Sequence, residues 1–181
     1  MTKPITTTAL MTLYEEGKFQ LEDPIHFYLG DRWRKENMQV FKSGTVEDYT
    51  TEPCTRSITM RMLMNHTSGL SYGFDATGAL NPVDGLYFKH KRGIHSSGLT
   101  LEHMVDGLAG MPLFFQPGSH WHYSLATDVC GRLVEVLSGE PFDVYLQRKI
   151  LTPLGMHVSC PRTILRVDPV QTSTCAPLSI C

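Results

Sequence analysis

Apolar residues recur at helical spacing along most of the first 158 residues of this 181-residue chain. The first such pattern covers residues 4–16. Ile5, Ala9 and Leu13 repeat there every four positions, which places them on one face of an α-helix. Gly17 follows directly and suits the residue that ends a helix. The pattern therefore predicts a first helix over residues 4–16.

The same spacing predicts five further helical segments. They cover residues 25–29, 60–65, 100–108, 125–138 and 141–152. Ser57 or Thr59 is expected to cap the second of these, and Thr100 the third, because a side-chain oxygen there accepts a free backbone N–H. The fourth is the strongest pattern. Its inward residues are predicted to be Leu125, Val129, Leu133 and Val136, with Gly139 ending the helix.

Strands are predicted only in short pieces. Phe19 and Leu21 alternate with polar residues, which indicates a very short strand. Residues 38–41 and the stretch around Tyr49 are predicted to be two more. Residues 71–98 are rich in glycine and are expected to form one long loop, whose small basic run is expected to face solvent.

Composition narrows the class of protein. Apolar residues make up 41% of the chain, charged residues 19%, and the net charge is −2, which is typical of a globular protein without a nucleic-acid partner. No stretch is long and apolar enough for a membrane span. The chain has five cysteines but no CxxC pair, so neither a zinc ribbon nor a thioredoxin-like site is predicted. Residues 159–181 lack any stripe and are expected to be an atypical, disordered tail on a domain of residues 1–158.

Three motifs carry the candidate chemistry. They are MTKP at residues 1–4, HTSGL at residues 66–70, and YS at residues 123–124, which follows a Pro-Gly turn and precedes the strongest helix. In this order and spacing, residues 1 to about 158 resemble the serine β-lactamase-related family of class C β-lactamases, esterases, D-aminopeptidases and penicillin-binding-protein-like enzymes. The resemblance implies a mainly α chain: the helical lobe of a β-lactamase/transpeptidase-like α+β fold, with most of the sheet missing.

The first motif of that family is Ser-x-x-Lys. The resemblance makes Lys3 its lysine, so the serine would lie one position before Met1. A lysine three residues after a serine returns to the same helix face and can take the serine proton as the hydroxyl attacks a carbonyl. The family's third motif, Lys-Thr-Gly or His-x-Gly on a strand, does not follow residue 158. We therefore expect a segment truncated at both ends that is inactive as it stands.

The second motif is Tyr-x-Asn in class C enzymes and a looser Tyr-Ser-x in esterase-like members. The resemblance assigns Tyr123 a share with Lys3 in proton transfer, and Ser124 a contact with substrate. Leu125 replaces the asparagine that would bind a β-lactam amide. The expected reaction is therefore cleavage of a small-molecule amide or ester through an acyl-enzyme, with no cofactor.

Other hypotheses remain open from the residues alone. One is a non-catalytic binding protein derived from the same fold, and another is a hydrolase that uses Ser68 or Ser124 as nucleophile. Zinc is a third: alternating His120 and His122 would share one face of a strand, although no zinc motif results and no metal is expected. His66 is expected to hydrogen-bond within its turn, and the Ser68 hydroxyl likewise.

Overall fold

The chain is helix-rich, with one two-stranded sheet, in the residues that this computed structural model describes, 2–91 and 100–156. The helices are α1 (Thr2–Glu15), α2 (His26–Leu29), α3 (Met60–Met64), α4 (Pro82–Lys89), α5 (Leu101–Leu108), α6 (Ala126–Ser138) and α7 (Phe142–Leu146). The strands are β1 (Gln39–Gly44) and β2 (Tyr49–Pro53), and a single π-helical turn, Gln147–Leu151, continues α7. The predicted tail, residues 159–181, lies outside the described residues.

The first helix confirms its predicted stripe. It begins two residues earlier than predicted, and Ala9, Leu10 and Leu13 are buried along its inner face. Gly17 has φ +71°, and its N–H donates to the carbonyl of Tyr14 at 2.9 Å. A glycine in the left-handed region just past the last turn is a common helix end, because it lacks the Cβ that would clash.

Helix α6 is central and packs against α1, α2, α3, α5 and α7. Val129 and Leu133 are buried as predicted, but Val136 is 38% exposed. The prediction was wrong at this position because Leu137, four residues after Leu133, is the residue that packs against the core and is partly buried. A regular i, i+4 stripe therefore runs through Leu137 and turns Val136 toward solvent.

The helix caps follow their predictions. The Thr59 side chain accepts from the Met62 N–H, and the Thr100 side chain accepts from the His103 N–H. Along α5, Leu101, Val105 and Leu108 are buried. The two strands form an antiparallel hairpin that pairs Gln39 with Pro53, with an irregularity between Phe41 and Ser43.

The prediction of one long loop over residues 71–98 was wrong, because α4 lies within this range. The Asn81 side chain caps α4 by accepting the Val83 N–H, and Pro82 occupies its first turn. Gly85, which suggested a turn, is a helical position packed against Val46, where an added Cβ would crowd that side chain. The glycine thus reflects close packing rather than chain reversal. Part of the basic run predicted to face solvent lies at the end of α4 and part is outside the described residues.

The strand predicted at Phe19 and Leu21 was also wrong, because these residues lie in a turn. The Asp23 carboxylate accepts from the Gln20 N–H at 2.7 Å and from the Tyr28 hydroxyl at 2.6 Å. Phe19 is buried, with its ring 5.6 Å from that of Tyr14. Side-chain hydrogen bonds to Asp23 therefore take the place of a strand ladder. Within the described residues, no helix has the length and apolarity to cross a bilayer.

Truncation of Leu133 tests the central position of α6. This residue is fully buried, so Leu133→Ala should lower the free energy of unfolding by about 2–5 kcal/mol in urea denaturation. Leu80→Ala is the matched control: Leu80 is 91% exposed, and its truncation should change stability by less than about 0.5 kcal/mol. Equal effects of the two substitutions would contradict this packing.

Candidate active site

Two loops lie side by side and form the floor of the candidate site. The paired loops are residues 66–71, which contain the HTSGL motif, and residues 114–125, which lead into α6. Four backbone hydrogen bonds join them: Phe114 N–H to Gly69 (2.7 Å), Gly118 N–H to Thr67 (2.7 Å), His122 N–H to His66 (2.9 Å) and Leu125 N–H to Ser71 (3.0 Å). The HTSGL motif and the Tyr123–Ser124 motif are thereby brought together.

The backbone of the first loop depends on two residues with positive φ. Gly69 has φ +87°, and a Cβ there would collide with the carbonyl oxygen of Phe115, so only glycine fits. His66 has φ +60°, which is uncommon for a non-glycine residue. Such positions are found where surrounding structure imposes them, often at functional sites.

Lys3 and Tyr123, the two predicted catalytic residues, meet at this floor. Lys3 lies in the first turn of α1, and its Nζ is 4.2 Å from the centroid of the Tyr123 ring and 5.1 Å from that of Tyr72. The two tyrosine rings are stacked, with centroids 5.3 Å apart and planes 7° from parallel. A lysine ammonium at these distances is attracted to the ring faces.

The contribution of Tyr72 was missed in the sequence. Its only local signal is its place two residues after HTSGL, and nothing in that position predicts stacking on a ring 51 residues later. The ring of Phe74 continues the stack, 4.2 Å from Tyr72. The amine of Lys3 therefore lies over two parallel phenol rings, those of Tyr72 and Tyr123, rather than over one.

His66 contacts the site instead of its own turn, which corrects the prediction for its ring. Nδ1 lies 3.3 Å from the hydroxyl oxygen of Ser124, and the ring is 5.1 Å from that of Tyr123. Burial lowers the pKa of His66 below its ordinary value of 6.5, and the charges of Lys3 and His122 lower it further. The neutral imidazole is therefore the favoured form beside the lysine.

The serines of the two motifs are both fully buried. The Ser68 hydroxyl accepts from the Leu70 N–H at 3.4 Å, which confirms its predicted turn role. The Ser124 hydroxyl accepts from the Ala126 N–H at 3.3 Å, at the start of α6, besides its contact with His66. Neither hydroxyl is open to a carbonyl carbon in solution. Contact between Ser124 and substrate stays a prediction.

The histidines considered for zinc have separate partners. His120 Nδ1 lies 2.9 Å from the hydroxyl oxygen of Ser119, whereas His122 Nε2 lies 3.2 Å from that of Ser71. His103, another histidine near this part of the sequence, has its Nδ1 2.7 Å from the Thr100 hydroxyl oxygen. In residues 2–91 and 100–156, no group of three or more His, Cys, Asp or Glu side chains is arranged to hold a metal ion.

A cleft of about 370 Å³ opens beside Lys3, between α1, α3 and α6. Its volume is within the range of small-molecule sites, and its walls combine apolar and hydroxyl side chains. Residues that line it include Lys3, Thr7, Met11, Met64, His66, Thr127 and Cys130. Burial raises the pKa of Cys130 to about 12, so this thiol is protonated at neutral pH and is a poor nucleophile.

The Lys3 amine and the rings of Tyr72 and Tyr123 thus form one cluster, the lysine–tyrosine site, in a helix-rich structure. The family follows from sequence comparison. The model of the beta-lactamase family matches residues 1–159 of the chain. The chain belongs to the beta-lactamase family. This confirms the resemblance seen in the three motifs.

Relatives include two esterases and simvastatin synthase. Esterase EstB of Burkholderia gladioli is 35% identical over 157 residues, 87% of this chain and 36% of that protein. Lovastatin esterase of Penicillium rubens is 30% identical over 167 residues, 92% of this chain and 39% of that protein. The solved structure of simvastatin synthase (LovD) from Aspergillus terreus is 29% identical, with a TM-score of 0.64 over 85% of this chain and 36% of that one. The chain thus spans a little over a third of these relatives' length.

The environment of His66 gives a pH prediction. Because its pKa is lower in the folded than in the unfolded chain, the unfolded chain binds more protons as the pH falls below 6.5, and stability is lost there. Titration followed by NMR should give His66 a midpoint below 6.5. Lys3→Met should raise that midpoint but leave it below 6.5, because burial is the largest cause.

Lys18→Met is the control for this titration, because Lys18 is exposed beyond the other end of α1. It removes the same charge and should leave the His66 midpoint unchanged. A midpoint of 6.5 or above in the unsubstituted chain, or equal effects of the two lysine substitutions, would contradict the site geometry.

Proposed function

We propose that residues 1–158 are part of an enzyme that cleaves or transfers the acyl group of small-molecule esters or amides, and that Lys3 and Tyr123 carry the proton transfers of this enzyme. The observation that carries this proposal is the position of the Lys3 amine, which lies 4.2 Å from the centroid of the Tyr123 ring on a residue that also lines the cleft. In this proposal, residues 1–158 are the helical lobe of a β-lactamase-like α+β fold, and the main sheet is not among the described residues.

The proton transfers follow from the chemistry of the two groups. In an acyl transfer, a serine hydroxyl loses its proton as it attacks the carbonyl carbon, and the leaving oxygen or nitrogen gains one. An amine and a phenol oxygen within hydrogen-bond distance can pass that proton between them. Nζ of Lys3 lies over the face of the Tyr123 ring, 4.2 Å from its centroid, so the transfer requires a small movement of the amine toward the phenol oxygen. His66, neutral and 5.1 Å from the Tyr123 ring centroid, adds no positive charge that would hold the phenol as a fixed anion.

An ester is favoured over a β-lactam as substrate. Leu125, the third residue of the second motif, is 3% exposed and has no side-chain amide with which to bind a β-lactam side chain. The names of the relatives EstB and lovastatin esterase refer to ester chemistry. We therefore place small-molecule esters first in the substrate class, and amides second.

The nucleophile is the part of the proposal that the described residues do not supply. Among the serines of the paired loops, Ser68, Ser71 and Ser124 are fully buried, whereas Ser119 is exposed and its hydroxyl donates to the Gln116 carbonyl at 2.7 Å. We infer that none of them attacks substrate and that the 181-residue chain by itself is inactive. This disfavours the alternative of a hydrolase built on Ser68 or Ser124.

A second candidate function is ligand binding without turnover. Two observations favour it: a cleft of about 370 Å³ lies beside Lys3, and the motif serines Ser68 and Ser124 are both fully buried. Calorimetric titration with the alcohol and acid products of ester cleavage distinguishes the two. Ligand binding without turnover is favoured if the 181-residue chain binds these products and if a longer protein that contains it also binds them but shows no activity.

The proton-transfer role is tested in a longer protein that contains residues 1–158 in frame and hydrolyses p-nitrophenyl butyrate. Lys3→Ala and Tyr123→Phe should each lower kcat/KM by about 10²–10⁴-fold, the usual contribution of a positioned acid or base. Lys18→Ala is the control and should leave kcat/KM unchanged. Full activity of Lys3→Ala would refute the role assigned to this amine.

The 181-residue chain provides the complementary test. It should show no turnover of p-nitrophenyl esters or nitrocefin, and no serine in it should react with a fluorophosphonate probe mapped by mass spectrometry. A label on Ser68 or Ser124, or turnover that Lys3→Ala abolishes, would show that this chain holds its own nucleophile.

A further inference from the structure

A buried carboxylate lies behind the stacked tyrosines. Asp84, in the first turn of α4, is 6% exposed, and it accepts four hydrogen bonds from neutral donors. Oδ1 accepts from the Ser71 hydroxyl (2.5 Å) and the Tyr72 (3.1 Å) and Gly73 (2.7 Å) N–H groups, and Oδ2 accepts from the Asp75 N–H (3.4 Å). A buried charge is costly unless such donors surround it, so these residues are held where they converge on the carboxylate.

The carboxylate also reaches the second of the paired loops. A serine has one proton to donate, and an ionised carboxylate can only accept, so the Ser71 proton points to Asp84. The Ser71 oxygen then accepts from the side-chain N–H of Asn81 at 2.7 Å, and Nε2 of His122 lies 3.2 Å from the same oxygen. Nε2 of His122 also lies 3.5 Å from the Asn81 amide nitrogen. The His122 ring therefore donates to Ser71 when Nε2 carries the proton and accepts from Asn81 when Nδ1 carries it.

This cluster contains a serine, a histidine and an aspartate but is not a hydrolytic triad. In a triad the histidine accepts the serine proton, whereas here the serine donates that proton to the aspartate. Ser71 is also fully buried. The cluster thus holds the neighbouring residues in position and does not react with a substrate.

We propose that the Asp84 carboxylate is a positioning group for the lysine–tyrosine site. It holds the backbone of Tyr72 directly. Through Ser71 it also holds His122, which precedes Tyr123 in the chain. One buried charge thereby sets the two rings parallel under the amine. As a statement about catalysis this rests on the proposed function, but the ring geometry is measurable without any activity.

The Lys3 side chain reports on that geometry by NMR. Protons above an aromatic face resonate upfield, so the ε-CH₂ protons of Lys3 should be shifted upfield by Tyr72 and Tyr123. Asp84→Asn replaces an acceptor with an amide that also presents donors to N–H groups. In the 181-residue chain it should abolish the upfield shift, whereas Asp106→Asn, the same charge change at an exposed residue of α5, should retain it.

Ser71→Ala provides a second variant that removes fewer hydrogen bonds from the cluster. It leaves the N–H bonds of Tyr72 and Gly73 to the carboxylate but removes the link to His122. We expect the upfield shift of the Lys3 ε-CH₂ protons to become smaller but not to vanish. His122, the neighbour of Tyr123, loses its contact with Ser71, whereas the Tyr72 N–H keeps its hydrogen bond to Asp84. If Asp84→Asn does not fold, this variant decides: an undiminished shift in folded Ser71→Ala overturns the proposal.

Activity separates this proposal from the proposed function. An undiminished Lys3 shift in folded Asp84→Asn overturns the positioning role, whatever the rate of ester hydrolysis. A lost shift with unchanged hydrolysis in a longer, active protein supports the positioning role and contradicts proton transfer by Lys3. A lost shift with a lower kcat and an unchanged KM supports both.

Discussion

The pairing of residues 66–71 with residues 114–125 is the constraint on which the site depends. Their four backbone hydrogen bonds bring together segments about 50 positions apart in the chain. The close approach requires a glycine at position 69, where any Cβ would meet the neighbouring loop. His66 and Tyr72 come from one side of this pairing and Tyr123 from the other. Without it, the amine of Lys3 would have no second ring to contact.

Helix packing supplies the other side of the site. Helix α1 lies against α6, and its burial fixes the end of the helix that carries Lys3. The Thr12 hydroxyl lies 2.7 Å from that of Tyr145, which ties α1 to α7 as well. The direction of Lys3 thus follows from core packing, whereas the direction of the tyrosines follows from buried hydrogen bonds. Core packing and buried hydrogen bonds thus act separately, and together they place the Lys3 amine over the rings of Tyr72 and Tyr123.

Sequence patterns predicted the elements whose signals are local. The stripe of α1, the caps Thr59 and Thr100, and the end of α6 at Gly139 all require only neighbouring residues. Helix α4 escaped prediction because Gly85 indicates a turn until Val46, 39 positions away, is known to pack against it. The same limit holds in the site. Lys3 and Tyr123 were found through family motifs, whereas the Asp84 cluster exists only through tertiary contacts.

The contact between Lys3 and the tyrosine rings is most directly tested by nuclear Overhauser effects in the 181-residue chain with labelled lysine and tyrosine. The account predicts cross-peaks from the side-chain methylenes of Lys3 to ring protons of both Tyr72 and Tyr123, since the amine lies 5.1 and 4.2 Å from the two centroids. A folded chain in which Lys3 shows cross-peaks to neither ring would contradict it.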